Sequence, residues 1–124
     1  MMTWLNLLAG GLAGTAARYA LSGVVYQVCG TQFPYGTLTV NTLGCAVIGF
    51  LAVLTEEKFL LGPSARVLLM AGFCGAFTTF STFMLETVYL LRDGETLRAA
   101  ANIGVSVALG FVALRLGMVL AELL

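Results

Sequence analysis

The chain of 124 residues is 60% hydrophobic and only 10% charged, with 15 Gly, 2 Pro and no His. A soluble domain carries about a quarter charged residues, so the polar groups here are too few to cover a water-facing surface, and the composition implies an integral membrane protein. Six basic against six acidic residues leave zero formal charge and no basic run, which removes the electrostatic footprint of a nucleic-acid binder.

At roughly 20 apolar residues per crossing, four helices need about 80 residues and leave only short loops. Residues 1–124 are therefore expected to form one all-α domain of four transmembrane helices. The first apolar run covers approximately residues 4–28, with Arg18 its only charge. Its start, Met1-Met2-Thr3, has no basic residue, and the run is too long for a signal-peptide core, so it reads as a retained span. The loop Gly30 to Gly36 holds Pro34. A second run, residues 37–54, ends at Glu56, Glu57 and Lys58, and Gly62-Pro63-Ser64 supplies turn chemistry. The third covers residues 66–91; Arg92, Asp93, Gly94 and Glu95 mark a loop, and residues 97–124 make the fourth, with Arg115 inside it.

The third run is too long for one straight crossing: its 26 residues would make a helix of about 39 Å against a hydrocarbon core of roughly 30 Å. Its middle places Gly72 and Gly75 ahead of Thr78, Thr79, Ser81 and Thr82. Glycine weakens helix, and hydroxyls re-satisfy freed backbone groups, so this is where the helix is expected to break, near its middle. A continuous helix with hydroxyls bonded back to its own carbonyls is the alternative.

The loops carry Lys58 and Arg66 on one side and Arg92 and Arg98 on the other, so the positive-inside rule has nothing to act on. Such a chain can insert in both orientations and pair antiparallel; a bias from Arg18, Arg115 or translation order is the alternative. Gly10 with Gly14, Gly104 with Ala108, and Ser106 with Gly110 offer small-residue faces, from which a homo-oligomer, most simply a dimer, is expected.

Cys29, Cys45 and Cys74 are odd in number and lack CxxC spacing, so they read as small packing residues. With no His and scattered carboxylates there is no metal-ligand cluster or catalytic triad, and an enzyme is not expected. Ionisable residues inside spans are costly, which makes Arg18, Glu86 and Arg115 functional candidates, with snorkelling as the alternative for the arginines and an interfacial position near the end of the third run as the alternative for Glu86. Arg is always charged and favours anions. Asn41 carries two amide donors into the second run, for an anion or for an interhelical bond. At helical spacing Thr79, Thr82 and Glu86 share a face, with Phe80 and Phe83 close by. The positive edge of a phenyl ring beside a hydroxyl track can stabilise a small anion without trapping it, although such rings also serve as packing.

Three motifs, Gly11-Leu12-Ala13-Gly14-Thr15-Ala16-Ala17-Arg18-Tyr19, Gly36-Thr37-Leu38-Thr39-Val40-Asn41-Thr42-Leu43-Gly44 and Gly72-Phe73-Cys74-Gly75-Ala76-Phe77-Thr78-Thr79-Phe80-Ser81-Thr82-Phe83, resemble the Fluc (CrcB) fluoride channels of bacteria. They follow in order across three of the four expected spans, and the third is highly specific. The resemblance implies a dual-topology antiparallel homodimer in the bacterial inner membrane, with two separate pores that export fluoride passively. By position, Phe80 and Phe83 resemble the pore phenylalanines, Asn41 the pore amide, Ser81, Thr82, Glu86 and Ser106 the polar track, and Arg18 the vestibule arginine. Gly75 and Thr78 resemble the residues whose backbone carbonyls hold a structural Na⁺ on the dimer axis. The fourth span departs from the family, offering Asn102 and Ser106 where an aromatic hydroxyl is expected.

Two other readings compete. A small multidrug exporter also has four spans, but it uses a first-span carboxylate where this chain has Arg18. A non-conducting membrane anchor would need no polar groups along one path.

Overall fold

A computed structural model describes residues 1–124. Helix α1 spans Met2–Cys29 and ends at Gly30, whose φ of 86° is in the left-handed region that glycine enters without a Cβ penalty. Helix α2 runs over Tyr35–Ala52 and continues in wider π-type winding over Val53–Glu57. Helix α3 opens at Pro63–Arg66 with proline in its first turn, widens to π winding over Val67–Cys74 and closes on one α turn at Gly75–Phe77. Helices α4, Phe80–Arg92, and α5, Thr96–Glu122, follow, joined by a turn at Gly94, where φ is 76°. There are no strands.

The stretches Tyr35–Glu57, Pro63–Arg92 and Thr96–Glu122 are long and apolar enough to cross a membrane. Helix α1, with 28 residues, is long enough but less apolar, because Asn6, Arg18, Ser22, Tyr26 and Gln27 interrupt it.

Close backbone approach organises the packing. A Cβ added to Gly10 would strike the Leu68 carbonyl oxygen, and one on Gly14 the Phe73 carbonyl oxygen, so α1 lies directly against the π-wound part of α3. Likewise Gly49 of α2 faces the Leu114 carbonyl and Gly117 of α5 the Ala46 carbonyl. The Gly10–Gly14 face expected to serve oligomerisation is therefore consumed inside the chain, whereas Gly104 has open space around it.

Little of the chain is interior. Only 21 of 124 residues are buried, and Leu8, Leu12, Phe80, Val107, Phe111 and Leu120 stand more than half exposed. The accessible surface is 7571 Å², against about 6300 Å² for a compact soluble monomer of 13.0 kDa. Many large apolar side chains contribute to this surface, which suits lipid or another apolar face rather than water.

The third run is broken. Thr78 (φ −92°, ψ 159°) and Thr79 (φ −150°, ψ 122°) are extended, and α4 restarts behind Thr79 as its N-cap. The reading that put Thr79, Thr82 and Glu86 on one helical face needs correction at its first member: Thr79 lies outside the helix. It meets Thr82 through capping, since the Thr82 N–H donates to Thr79 Oγ1 at 3.3 Å and the Thr79 hydroxyl donates to Thr82 Oγ1 at 3.1 Å.

Candidate functional site

The break is pinned from α2. Asn41 Nδ2 donates to the Thr79 carbonyl oxygen at 2.9 Å, and the Thr79 N–H donates to Asn41 Oδ1 at 2.8 Å. One side-chain amide thus satisfies both polar groups of a residue taken out of helical pairing, where an unpaired group at membrane depth costs several kcal/mol. Of the two roles expected for Asn41, the interhelical bond is made, through one amide N–H and the amide oxygen, and the second N–H of the same amide is not used by it.

Thr78 anchors the other side. Its hydroxyl donates to the Cys74 carbonyl at 3.0 Å, and its methyl fills the space that a Cβ on Gly44 would need. Together with Asn41, Cys74, Gly75, Thr79 and Phe80 it lines a cavity of about 280 Å³. The ring of Phe80, 73% exposed, projects from the start of α4 and makes an edge-type contact with Phe83, which is 7% exposed, at a centroid distance of 5.8 Å and an interplanar angle of 64°. Of the pair, Phe80 is the ring turned outward and Phe83 the ring packed inside.

Two turns further along α4, three helices converge on Glu86. Thr37 of α2 donates to Oε1 at 2.7 Å, and the Tyr26 phenol of α1 donates to Oε2 at 3.2 Å. Tyr26 and Glu86 also wall a larger cavity of about 830 Å³ with Tyr89, Asp93, Glu95 and Arg98 at one end of the helices. The neighbouring flank of α4 is tied to α5: Asn102 Nδ2 donates to Thr87 Oγ1 at 2.9 Å, and the Thr87 hydroxyl donates to the Phe83 carbonyl at 2.7 Å. Ser106 joins this chain by donating to Asn102 Oδ1 at 3.4 Å.

The structure therefore brings Asn41, Gly75, Thr78 and Phe80 to one cavity and sets Phe83, Thr82 and Glu86 along the helix that leaves it. Ser106 sits on the α5 side of α4, through Asn102. Ser81 is exposed near the start of α4, and Arg18 is half-buried on α1, one helical turn beyond Gly14; both stand apart from these hydrogen bonds. Sequence reasoning did not single out Tyr26, Thr37 or Thr87. The available signal was Gly36 beside Thr37, since that glycine is the seat of the Tyr26 ring.

A family model described as "CrcB-like protein, Camphor Resistance (CrcB)" matches residues 5–118. Over 114 residues the chain is 50% identical to the fluoride-specific ion channel FluC of Solidesulfovibrio magneticus, covering 92% of this chain and 91% of that protein. It is 43% identical over 124 residues to FluC of Maridesulfovibrio salexigens, covering 100% and 98%, and 50% identical over 115 residues to FluC of Chlorobaculum tepidum, covering 93% and 90%. These relatives are ion channels rather than enzymes, and with its long apolar helices the chain is a multi-pass membrane protein. Matched along nearly its whole length by both the family model and these relatives, the chain belongs to the CrcB family.

Proposed function

We propose that this protein is a fluoride-selective channel that lets fluoride leave the bacterial cytoplasm passively across the inner membrane. The observation that carries this reading is 43–50% identity to fluoride-specific channels over nearly the full length of both chains. Hydrogen fluoride crosses bilayers uncharged and dissociates in a less acidic cytoplasm, so a selective leak suffices to release the trapped anion down its gradient.

The working unit is an antiparallel homodimer with two pores, in which α1 also spans the bilayer and brings each chain to four crossings. Support comes from the apolar surface excess, from the balance of Lys58 and Arg66 against Arg92 and Arg98, and from a helix break open on the Phe80 side. In each pore Arg18 draws the anion to a vestibule, and Asn41, the edges of Phe80 and Phe83, and the hydroxyls of Ser81, Thr82 and Ser106 pass it along beside Glu86. Fluoride is smaller and more tightly hydrated than chloride, so its water must be replaced by close, numerous donors, while a narrow path excludes the larger ion.

A structural Na⁺ on the dimer axis, held by the Gly75 and Thr78 carbonyls, belongs to the same reading, and the local bonding supplies suitable donors. The Thr79 N–H, which a continuous helix would give to the Gly75 carbonyl, goes to Asn41 instead. The Thr82 N–H, which would serve the Thr78 carbonyl, goes to Thr79 Oγ1. Two carbonyl oxygens are thereby left free of their helical donors, and hard oxygen ligands suit a hard cation, whose charge would offset the dipoles ending at the break.

The test is fluoride efflux from liposomes containing the purified protein alone. Rapid fluoride release with chloride retained is expected; chloride moving at a comparable rate, or no fluoride release at all, rejects the proposal. A bare anchor would not conduct.

A further inference from the structure

Glu86 poses a difficulty for an anion path. A carboxylate only accepts hydrogen bonds, and an anion passing beside it meets like charge in a region of low dielectric. Its two oxygens are not left loose. Thr37 Oγ1 donates to Oε1 at 2.7 Å, the Tyr26 phenol donates to Oε2 at 3.2 Å, and the two hydroxyl oxygens lie 3.4 Å apart. The carboxylate is therefore gripped in a fork whose prongs come from α1 and α2, while the next residue, Thr87, is tethered to Asn102 of α5.

The Tyr26 prong is built into the packing. Its ring lies where a Cβ on Gly36 would collide with Cε2 and Cδ2, so α2 carries a glycine at the point where the ring crosses it. Thr37, the next residue, is 5% exposed. The ring thus has a seat independent of its hydroxyl, and the hydroxyl has a partner independent of the ring. An interior packing role would require only the first.

Resting on the channel reading above, we infer that Tyr26 is a positioning residue for fluoride passage. Its phenol, with the Thr37 hydroxyl, holds the Glu86 carboxylate turned toward α1 and α2 and keeps its charge partly screened by donors. Fluoride moving between the 830 Å³ mouth cavity and the Phe80–Phe83 pair then passes a carboxylate whose oxygens are both engaged by donors instead of two bare oxygens. Without the phenol, Oε2 loses its donor and faces the mouth cavity bare, where Asp93 and Glu95 add like charge and Arg98 is already 3.7 Å from Glu95.

The test is a double-mutant cycle read by fluoride efflux. Tyr26→Phe keeps the ring on Gly36 and removes only the donor; it is expected to slow efflux about tenfold, the worth of one hydrogen bond to a charged group. In a Glu86→Gln background the same change should have little further effect, because no charge remains to be held. An equal slowing in both backgrounds, or none in the first, overturns the inference. A readout independent of flux uses isotope-edited infrared spectra of the full-length protein in bilayers. The carboxylate band lost in Glu86→Gln should shift in Tyr26→Phe, and an unshifted band overturns the inference even where Glu86→Gln does not conduct. Wild-type protein that conducts while Tyr26→Phe behaves identically rejects only this role; wild-type protein that does not conduct rejects the channel reading itself.

Discussion

The two halves of the third apolar run are held by different forces. Helix α3 is fixed by shape: Gly10 and Gly14 bring the α1 backbone against Leu68 and Phe73, and Phe73 stacks on Phe77 at 5.5 Å. Helix α4 is fixed by direction: Asn41 pins the break before it, Tyr26 and Thr37 hold Glu86 from α1 and α2, and Asn102 holds Thr87 from α5. Close packing tolerates almost no change of volume, whereas hydrogen bonds set a position that one atom can shift. The stretch carrying the candidate pore groups is the half positioned by hydrogen bonds, and it also leaves Phe80, Ser81 and Leu85 exposed.

The sharpest way to break this contrast is to overfill the packed half. Gly14→Leu drives a side chain into the Phe73 carbonyl, which as backbone cannot turn aside. A cost of about 3 kcal/mol or more is expected, a large share of the stability of a chain this size, read as loss of monodisperse protein in detergent or a fall in Tm. Gly11→Ala, with nothing within 4 Å, should leave Tm unchanged or slightly raised. Equal behaviour of the two variants would show that α1 and α3 are not in backbone contact.

The next largest effect is expected at the junction of the halves. Asn41→Leu leaves both the N–H and the carbonyl of Thr79 without partners, at about 1–3 kcal/mol each. Asn41→Asp keeps the acceptor for the Thr79 N–H, loses the donor and adds a negative charge. On the channel reading, Leu should depress Tm more, while Asp should nearly abolish fluoride efflux despite the milder loss of stability. Near-normal efflux from Asn41→Asp would remove Asn41 from the path.

Much of this junction is legible in the sequence, and its partners are not. Two glycines ahead of clustered hydroxyls mark where a helix will fail, because that signal is local. The partner of Asn41 lies 38 residues away, and nothing local to either residue encodes it. The Gly10–Gly14 spacing announces that a backbone will come close, yet both a neighbouring helix and a second subunit satisfy it equally; α3 takes the position. Thr79 shows a different limit. Counting helical turns through it puts it on the Glu86 stripe, but the break it helps to make removes it from that periodicity. Tyr26 and Thr37 lie at a helix end and a helix start, and only the tertiary approach of α1, α2 and α4 gives them a common target in Glu86.

The α4–α5 tether offers a finer test. Thr87→Val strands the Asn102 amide in a site where Asn102 is 1% exposed, at an expected cost of about 1–3 kcal/mol. Asn102→Leu in the same chain removes the stranded donor, so the double variant should be more stable than Thr87→Val alone. Additive losses would mean that the two side chains do not pair, and that α4 is positioned on this flank by packing.

The smallest effect is expected at a tether on the packed half. Arg66, in the first segment of α3, donates to Glu56 Oε1 at 2.7 Å, a shorter contact than the tie between Asn102 and Thr87. Both partners are about half exposed, 54% and 51%, and water competes for them, so Arg66→Ala should cost about 1 kcal/mol at most and nothing measurable at high salt. Distance alone would rank this bond above the buried Asn102–Thr87 pair; surroundings reverse the order. Measuring Arg66→Ala against Thr87→Val at low and high salt therefore compares the two modes of attachment directly. A salt-insensitive loss at Arg66 equal to that at Thr87 would mean that α3, too, depends on a directional bond, and that the division between a packed half and a hydrogen-bonded half does not hold.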